Sequence, residues 1–128
     1  MKIGELSKRT GISVDTLRFY TKEKLLTYTH AHHFWDFSDD QIVLAEHIQL
    51  LRSLGFSIRD IRYVFDASEA LLDGTRVNHE NLAAYIDFFE AKQSALRIQR
   101  HHIDIAEQRL SNILTKLEII ASKETFEL

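Results

Sequence analysis

The sequence has no cysteine and no proline, and only four glycines: Gly4, Gly11, Gly55 and Gly74. Without cysteine the chain forms no disulfide, thiolate zinc site, iron–sulfur cluster or thiol sensor. With so few chain breakers, long helices and a mostly α fold are favoured. No uninterrupted apolar run approaches the roughly 18 residues that a membrane span needs. The opening Met1-Lys2-Ile3-Gly4-Glu5 lacks the apolar core of a signal peptide. The expectation is a cytoplasmic protein with no membrane partner. Its 128 residues, 45% hydrophobic and 27% charged, suit one soluble domain and exclude a large multidomain enzyme.

Net charge is −3, from 16 Lys and Arg against 19 Asp and Glu, which argues against a protein that coats nucleic acid indiscriminately. The distribution is uneven. Residues 1 to 65 carry nine basic and eight acidic side chains, residues 66 to 128 seven and eleven. Within the first 26 residues Lys2, Lys8, Arg9, Arg18, Lys22 and Lys24 face only Glu5, Asp15 and Glu23. Positive potential therefore gathers at the start of the chain.

Helical spacing begins at Ile3 and runs to Thr10, with Ile3 and Leu6 on one face, and stops at Gly11, a residue suited to the left-handed conformation that ends helices. Ser13 is placed to cap a second helix whose apolar positions are Val14, Leu17 and Tyr20 or Thr21, with Asp15 set against the positive end of its dipole. Two short helices joined by a glycine-containing turn have the form of a helix-turn-helix, whose second helix projects into the major groove of DNA. From Thr27 to Phe37 the helical period lapses among Tyr28, His30, His32, Phe34 and Phe37, which predicts a small β-hairpin or wing. Ser38 with Gln41 matches a capping box ahead of a helix through Ile42, Ala45, Ile48, Leu51 and Leu54 that ends at Gly55. Ser57 with Asp60 is a weaker cap for a fourth helix through Ile58, Ile61, Val64 and Phe65.

Asp73, Gly74 and Thr75 mark a linker, taken as residues 71–77, after a domain at 1–70. A long helix is expected over 78–122, followed by a short tail at 123–128. Along it Leu82, Phe89, Leu96, Ile103, Leu110 and Leu117 recur at a strict seven-residue interval, with Tyr85, Ala106, Ile113 and Ile120 as apolar companions. Lys92 and Gln99 interrupt the companion series, so the seam weakens near its middle. From Leu82 to Ile120 the helix spans about 58 Å, too long for its stripe to be buried against about 70 residues. It calls for a partner helix, most simply from a second copy of the chain.

The stretch Ile3-Gly4-Glu5-Leu6-Ser7-Lys8-Arg9-Thr10-Gly11-Ile12-Ser13-Val14-Asp15-Thr16-Leu17-Arg18-Phe19-Tyr20, with Leu25-Leu26 after it, resembles the N-terminal winged helix-turn-helix of the MerR family of bacterial transcription regulators. Leu51-Arg52-Ser53-Leu54-Gly55-Phe56-Ser57-Ile58-Arg59-Asp60-Ile61 is similar to that family's second conserved block. The resemblance covers roughly the first half of the chain, and the long helix matches the family's dimerisation helix. It implies a winged helix-turn-helix domain followed by a coiled-coil dimerisation helix, and a homodimer with antiparallel long helices. Each protomer would place a recognition helix in a palindromic promoter operator, distort the DNA and realign it for RNA polymerase. Leu17-Arg18-Phe19-Tyr20 falls on the recognition-helix signature, so Arg18 and Tyr20 are expected to contact DNA. Arg59 falls where the family's second wing grips phosphates.

With Ser13, Asp15, Thr16 and Lys22 from the exposed face of the same helix, these residues form the expected DNA-binding set. The dimerisation set is Leu82, Phe89, Leu96, Ile103, Leu110, Ile113, Leu117 and Ile120. Guanidinium groups pair bidentately with guanine or phosphate, and an aspartate accepts from the cytosine amino group. The plainer alternative makes Arg18 and Lys22 a solvated face with Glu23, and Asp15 a dipole partner. The sequence departs from the family in the first wing: Tyr28 stands where a proline is usual, and His33-Phe34-Trp35-Asp36-Phe37 replaces a glycine-tyrosine-arginine run. Asp36 where a phosphate-binding arginine is expected would weaken DNA affinity, while Trp35 is read as covering the core with Phe34 and Phe37.

His30, His32 and His33 lack a completing carboxylate or cysteine pattern, so no metal and no cofactor is expected. His101 and His102 read as helix-surface positions near the weak point of the seam. No nucleophile, base and orienting triad or phosphate loop is present, and an enzyme is not expected. Because the chain stops soon after the arm, no separate effector domain is expected. A signal would enter through the dimer interface or the tail from Glu124, with an apolar ligand near Tyr85, Phe88 and Phe89 as one form. Two rivals stand beside the regulator: a protein-docking module with a disabled wing, and an architectural DNA-bending factor. Operator, effector and the sign of regulation are not encoded legibly.

Overall fold

The structure is a computed structural model that describes residues 1–74 and 76–127, with the side chains of the last three left out. The element order is α1 (Ile3–Thr10), α2 (Val14–Lys22), β1 (Thr29–Ala31), β2 (Phe34–Asp36), α3 (Asp40–Ser53), α4 (Ile58–Asp73) and α5 (His79–Glu127). It is the mostly helical, winged architecture expected. The chain divides into two units, Met1–Arg76 and Val77–Leu128.

In the first unit the turn between α1 and α2 is fixed by short local bonds. Gly11 adopts φ 74° and its N–H returns to the Ser7 carbonyl, a conformation glycine reaches without a Cβ clash. Ser7 Oγ donates to the Ile12 carbonyl at 2.6 Å, and Thr10 Oγ1 donates to the Leu6 carbonyl at 2.8 Å while accepting from the Ile12 N–H at 3.2 Å. The Thr16 N–H donates to Ser13 Oγ at 3.2 Å, the expected cap of α2. Below this turn Leu6, Leu17, Leu26, Phe37, Ile48 and Ile61 are fully buried. Each contributes about 1.5–3 kcal/mol of apolar transfer free energy. They join α1, α2, the segments flanking the hairpin, α3 and α4 in one core.

The hairpin pairs antiparallel with Thr29 opposite Asp36, His30 opposite Trp35 and Ala31 opposite Phe34. His32 in its turn takes φ 55°, a region histidine enters more readily than most residues with a Cβ. Trp35 stacks on Tyr28, with centroids 4.6 Å apart and planes at 23°, and meets the buried Phe37 edge-on at 6.4 Å. Phe34 turns elsewhere, beneath the Lys2 ammonium at 4.6 Å. The Met1 nitrogen donates to Asp36 Oδ1 and to the Phe37 carbonyl, each at 2.6 Å. Asp36 is therefore engaged by the N-terminal segment.

Three boundaries differ from the sequence reading. Ser38 and Gln41 do not form a capping box: the N-cap position is Asp39, with helical backbone angles and no side-chain cap, and Ser38 Oγ bonds the Asp40 carboxylate instead. The Gln41 side chain, 4% exposed, accepts the Thr27 N–H at 2.9 Å, a bond a buried amide must find somewhere. The linker is shorter than 71–77, because α4 continues through Leu71, Leu72 and Asp73 until Gly74 takes φ 72° and caps it; Thr75 lies outside the described residues. The residues set apart as a tail from 123 continue α5 to Glu127, since neither proline nor glycine follows Gly74 to stop it; Leu128 lies outside the described residues. The Ser57–Asp60 cap, by contrast, is a full reciprocal capping box.

In the second unit α5 begins with a reciprocal asparagine cap. Asn78 Oδ1 accepts from the Glu80 and Asn81 N–H groups, and Asn81 Oδ1 accepts the Asn78 N–H at 2.8 Å. Its 49 residues span about 73 Å.

Candidate nucleic-acid interface

The recognition helix α2 turns Leu17, Tyr20 and Thr21 inward. That face leaves Asp15, Arg18, Phe19 and Lys22 exposed and Thr16 half-buried, with exposed Ser13 at the cap. Arg18 Nη1 lies 3.7 Å from Asp15 Oδ1, one turn earlier, and the Asp15 side chain is 96% exposed. A pair this open to water is weak, so it does not hold Arg18 away from a phosphate or a guanine edge.

Arg18 also lines a groove of about 790 Å³ between α1, α2 and the wing, together with Lys2, Lys8, His33, Phe34 and Trp35. The acidic lining residue, Glu5, is bonded to Arg9 at 3.1 Å. A second groove of about 440 Å³ on the wing is lined by Lys22, Lys24, Thr27, Tyr28 and Trp35. Lysines on both grooves, with Arg18 on the first, present the charge that a phosphate backbone requires. Lys2, Lys8, Lys24 and His33 lie outside the expected DNA-binding set. The signal for the three lysines is the basic excess of the first 26 residues, which has no periodicity that assigns individual side chains to a face.

Tyr20 stands apart from these exposed residues. It is 4% exposed and its ring is part of the core, because it sits three residues from Leu17 on the inward face. Burial raises the pKa of its hydroxyl above 10.0, partly opposed by the Arg52 guanidinium. Arg59 stands exposed in the first turn of α4, outside both grooves. Among the described residues no group of three or more His, Cys, Asp or Glu is arranged to hold a metal ion. No described helix is long and apolar enough to cross a membrane. On α5, Leu82, Phe89, Ile103, Leu110, Ile113, Leu117 and Ile120 are all exposed, Leu110 by 66%, and Leu96 is half-buried.

Residues 1–68 match the family model described as MerR HTH family regulatory protein. The chain belongs to the MerR family. Residues 1–68 thus form that family's helix-turn-helix. Nodulation protein NolA of Bradyrhizobium diazoefficiens is 34% identical over 89 residues, which is 66% of this chain and 37% of NolA. The MerR-family chain therefore spans little more than a third of that relative's length. The HTH-type transcriptional regulator YfmP of Bacillus subtilis is 27% identical over 116 residues, covering 86% of this chain and 80% of YfmP. Two solved structures share the fold. HiNmlR, a MerR family regulator lacking the sensor domain and bound to promoter DNA, aligns with TM-score 0.59 at 24% identity over 86% of each chain. PbrR691 from Ralstonia metallidurans CH34, in complex with lead(II), aligns with TM-score 0.55 at 23% identity over 88% of this chain and 83% of its own.

Proposed function

We propose that this MerR-family chain works in the cytoplasm as a homodimer on a palindromic promoter operator, distorting the DNA so that RNA polymerase reads the promoter differently. The observation that carries the reading is the stripe on α5. Six apolar residues at a seven-residue interval, most of them exposed, lie on one helix, and a second copy of the same helix is the partner that matches both its length and its period. Pairing two rods antiparallel sets a fixed distance between two recognition helices, so half-sites fall one helical turn or a multiple apart. Arg18 and Lys22 read or grip the major groove, with Ser13, Asp15 and Thr16 in the first turn beside them, and Arg59 grips the flanking backbone.

The test is selection of bound fragments from random or genomic DNA by the purified protein, repeated with Arg18→Ala at the same salt concentration. A palindrome that vanishes with Arg18→Ala is the expected result. Failure to enrich any sequence at low salt, with the protein folded and dimeric, sinks the reading and favours a protein-docking role.

A further inference from the structure

Glu23 closes the recognition helix α2, and Arg62 stands in the second turn of α4, 39 residues further along the chain. One Arg62 nitrogen, Nη2, donates to the Glu23 carbonyl oxygen and to Glu23 Oε2, each at 2.8 Å. The carbonyls of a helix's last turn have no intrahelical N–H partner and form the negative end of its dipole. A guanidinium placed there is attracted by the helix end and by the carboxylate together. Arg62 thus caps α2 from a different helix.

The surroundings explain why such a tie matters. Backbone packing runs from α2 to α1, from α1 to α3 and from α3 to α4. Beside the tie lies a groove of about 360 Å³ lined by Lys24, Leu25, Leu44, Arg62, Phe65 and Glu69. The tie thus stands at the rim of a groove between the end of α2 and α4. Immediately after Glu23 the chain reverses through Lys24 at φ 63°. Three residues before Arg62 on the same helix stands Arg59, so the tie spans the two helices that carry the proposed DNA contacts.

We infer that Arg62 is a positioning residue for DNA recognition: by capping α2 from α4 it fixes the spacing of the helix bearing Arg18 relative to the helix bearing Arg59. The inference rests on the DNA-binding reading above. Both side chains are about two-fifths exposed, at 45% and 38%, and exposed pairs add little to global stability. The effect is therefore geometric.

Because the chain has no cysteine, two spin labels can be attached at Lys22→Cys and Ser68→Cys without interference, in the full-length protein free of DNA and mixed with excess unlabelled protein, so that a dimer carries one labelled protomer. The parent gives a single narrow distance distribution and Arg62→Gln a broader or shifted one, with Arg62→Lys, which keeps the cation, recovering part of the parent's. In unlabelled protein Arg62→Gln lowers affinity for the selected operator about tenfold, while binding to unrelated duplex at the same salt changes less than about twofold and the melting temperature barely moves. An unchanged distance distribution overturns the inference. Equal losses on operator and unrelated duplex overturn it too, by making Arg62 an ordinary phosphate contact. If the parent selects no operator, the regulator reading fails, and the distance measurement alone decides the role of Arg62.

Discussion

The Thr27 N–H and the Gln41 side chain meet at 2.9 Å, and this bond ties the segment that leads into the wing to the first turn of α3. Gln41 is buried at 4% exposure, so the acceptor itself is shielded from competing water. Gln41→Met keeps the volume and leaves a part-buried donor unmet. It is expected to destabilise the first unit by about 1–3 kcal/mol, read as a lower urea midpoint at unchanged slope. A midpoint equal to the parent's would mean that Thr27 finds another acceptor.

Lys24 occupies left-handed backbone at φ 63° and lines the groove on the wing beside Lys22. Lys24→Gly removes the Cβ clash and is expected to stabilise the fold by about 1 kcal/mol, after allowing for glycine's greater freedom when unfolded. It also removes a cation from the proposed phosphate track, so the slope of log affinity against log salt should shrink by about 0.9. Stability and DNA affinity would then move in opposite directions, measurable by denaturation and by a salt titration on one operator fragment. A gain in stability with an unchanged salt slope would place Lys24 away from the DNA.

What was legible in the sequence was local. Gly11 and Ser13 mark the helix-turn-helix because a left-handed C-cap and a hydroxyl N-cap each leave a residue-type signature at a fixed position. The seven-residue stripe marks α5 for the same reason. Tyr20 shows how two signals compete: its spacing from Leu17 points inward, whereas the family signature suggests a DNA contact, and in the structure the residue is buried. Gln41 was misassigned because a capping-box pattern and a buried amide look identical in one dimension. The Arg62–Glu23 tie joins residues 39 apart, and no periodicity encodes such a meeting. The wing's basic grooves were visible only as a regional excess of charge.

The proposed seam on α5 makes Ile103 a sensitive position, since it lies in the stripe near the interruption at Gln99 and is 53% exposed in one chain. Ile103→Asp would place an uncompensated carboxylate in the seam of each protomer. The expected cost is about 3–5 kcal/mol, which weakens self-association by more than about a hundredfold. Sedimentation equilibrium should report a mass near twice 14.9 kDa for the parent and near 14.9 kDa for the variant. A parent that sediments as a monomer at micromolar concentration would remove the dimer from the proposed function.

Burial of Tyr20 predicts a specific loss of stability in alkali. Its hydroxyl is held above the ordinary 10.0 chiefly because the phenolate would lose hydration, with the Arg52 guanidinium pulling partly the other way. Below pH 10 the phenol keeps its proton folded and unfolded alike, so the stability it contributes is fully present. As pH rises past that value the unfolded chain releases the proton first. The folded state then binds more protons than the unfolded one, and stability falls until pH passes the raised folded value. Melting temperatures measured from pH 8 to pH 11 should therefore decline more steeply for the parent than for Tyr20→Phe, which has no proton to lose. Arg52→Met, which removes the opposing cation, should steepen the decline further. Parallel curves for the parent and Tyr20→Phe would show that the hydroxyl reaches water, because a solvated phenol titrates alike in both states.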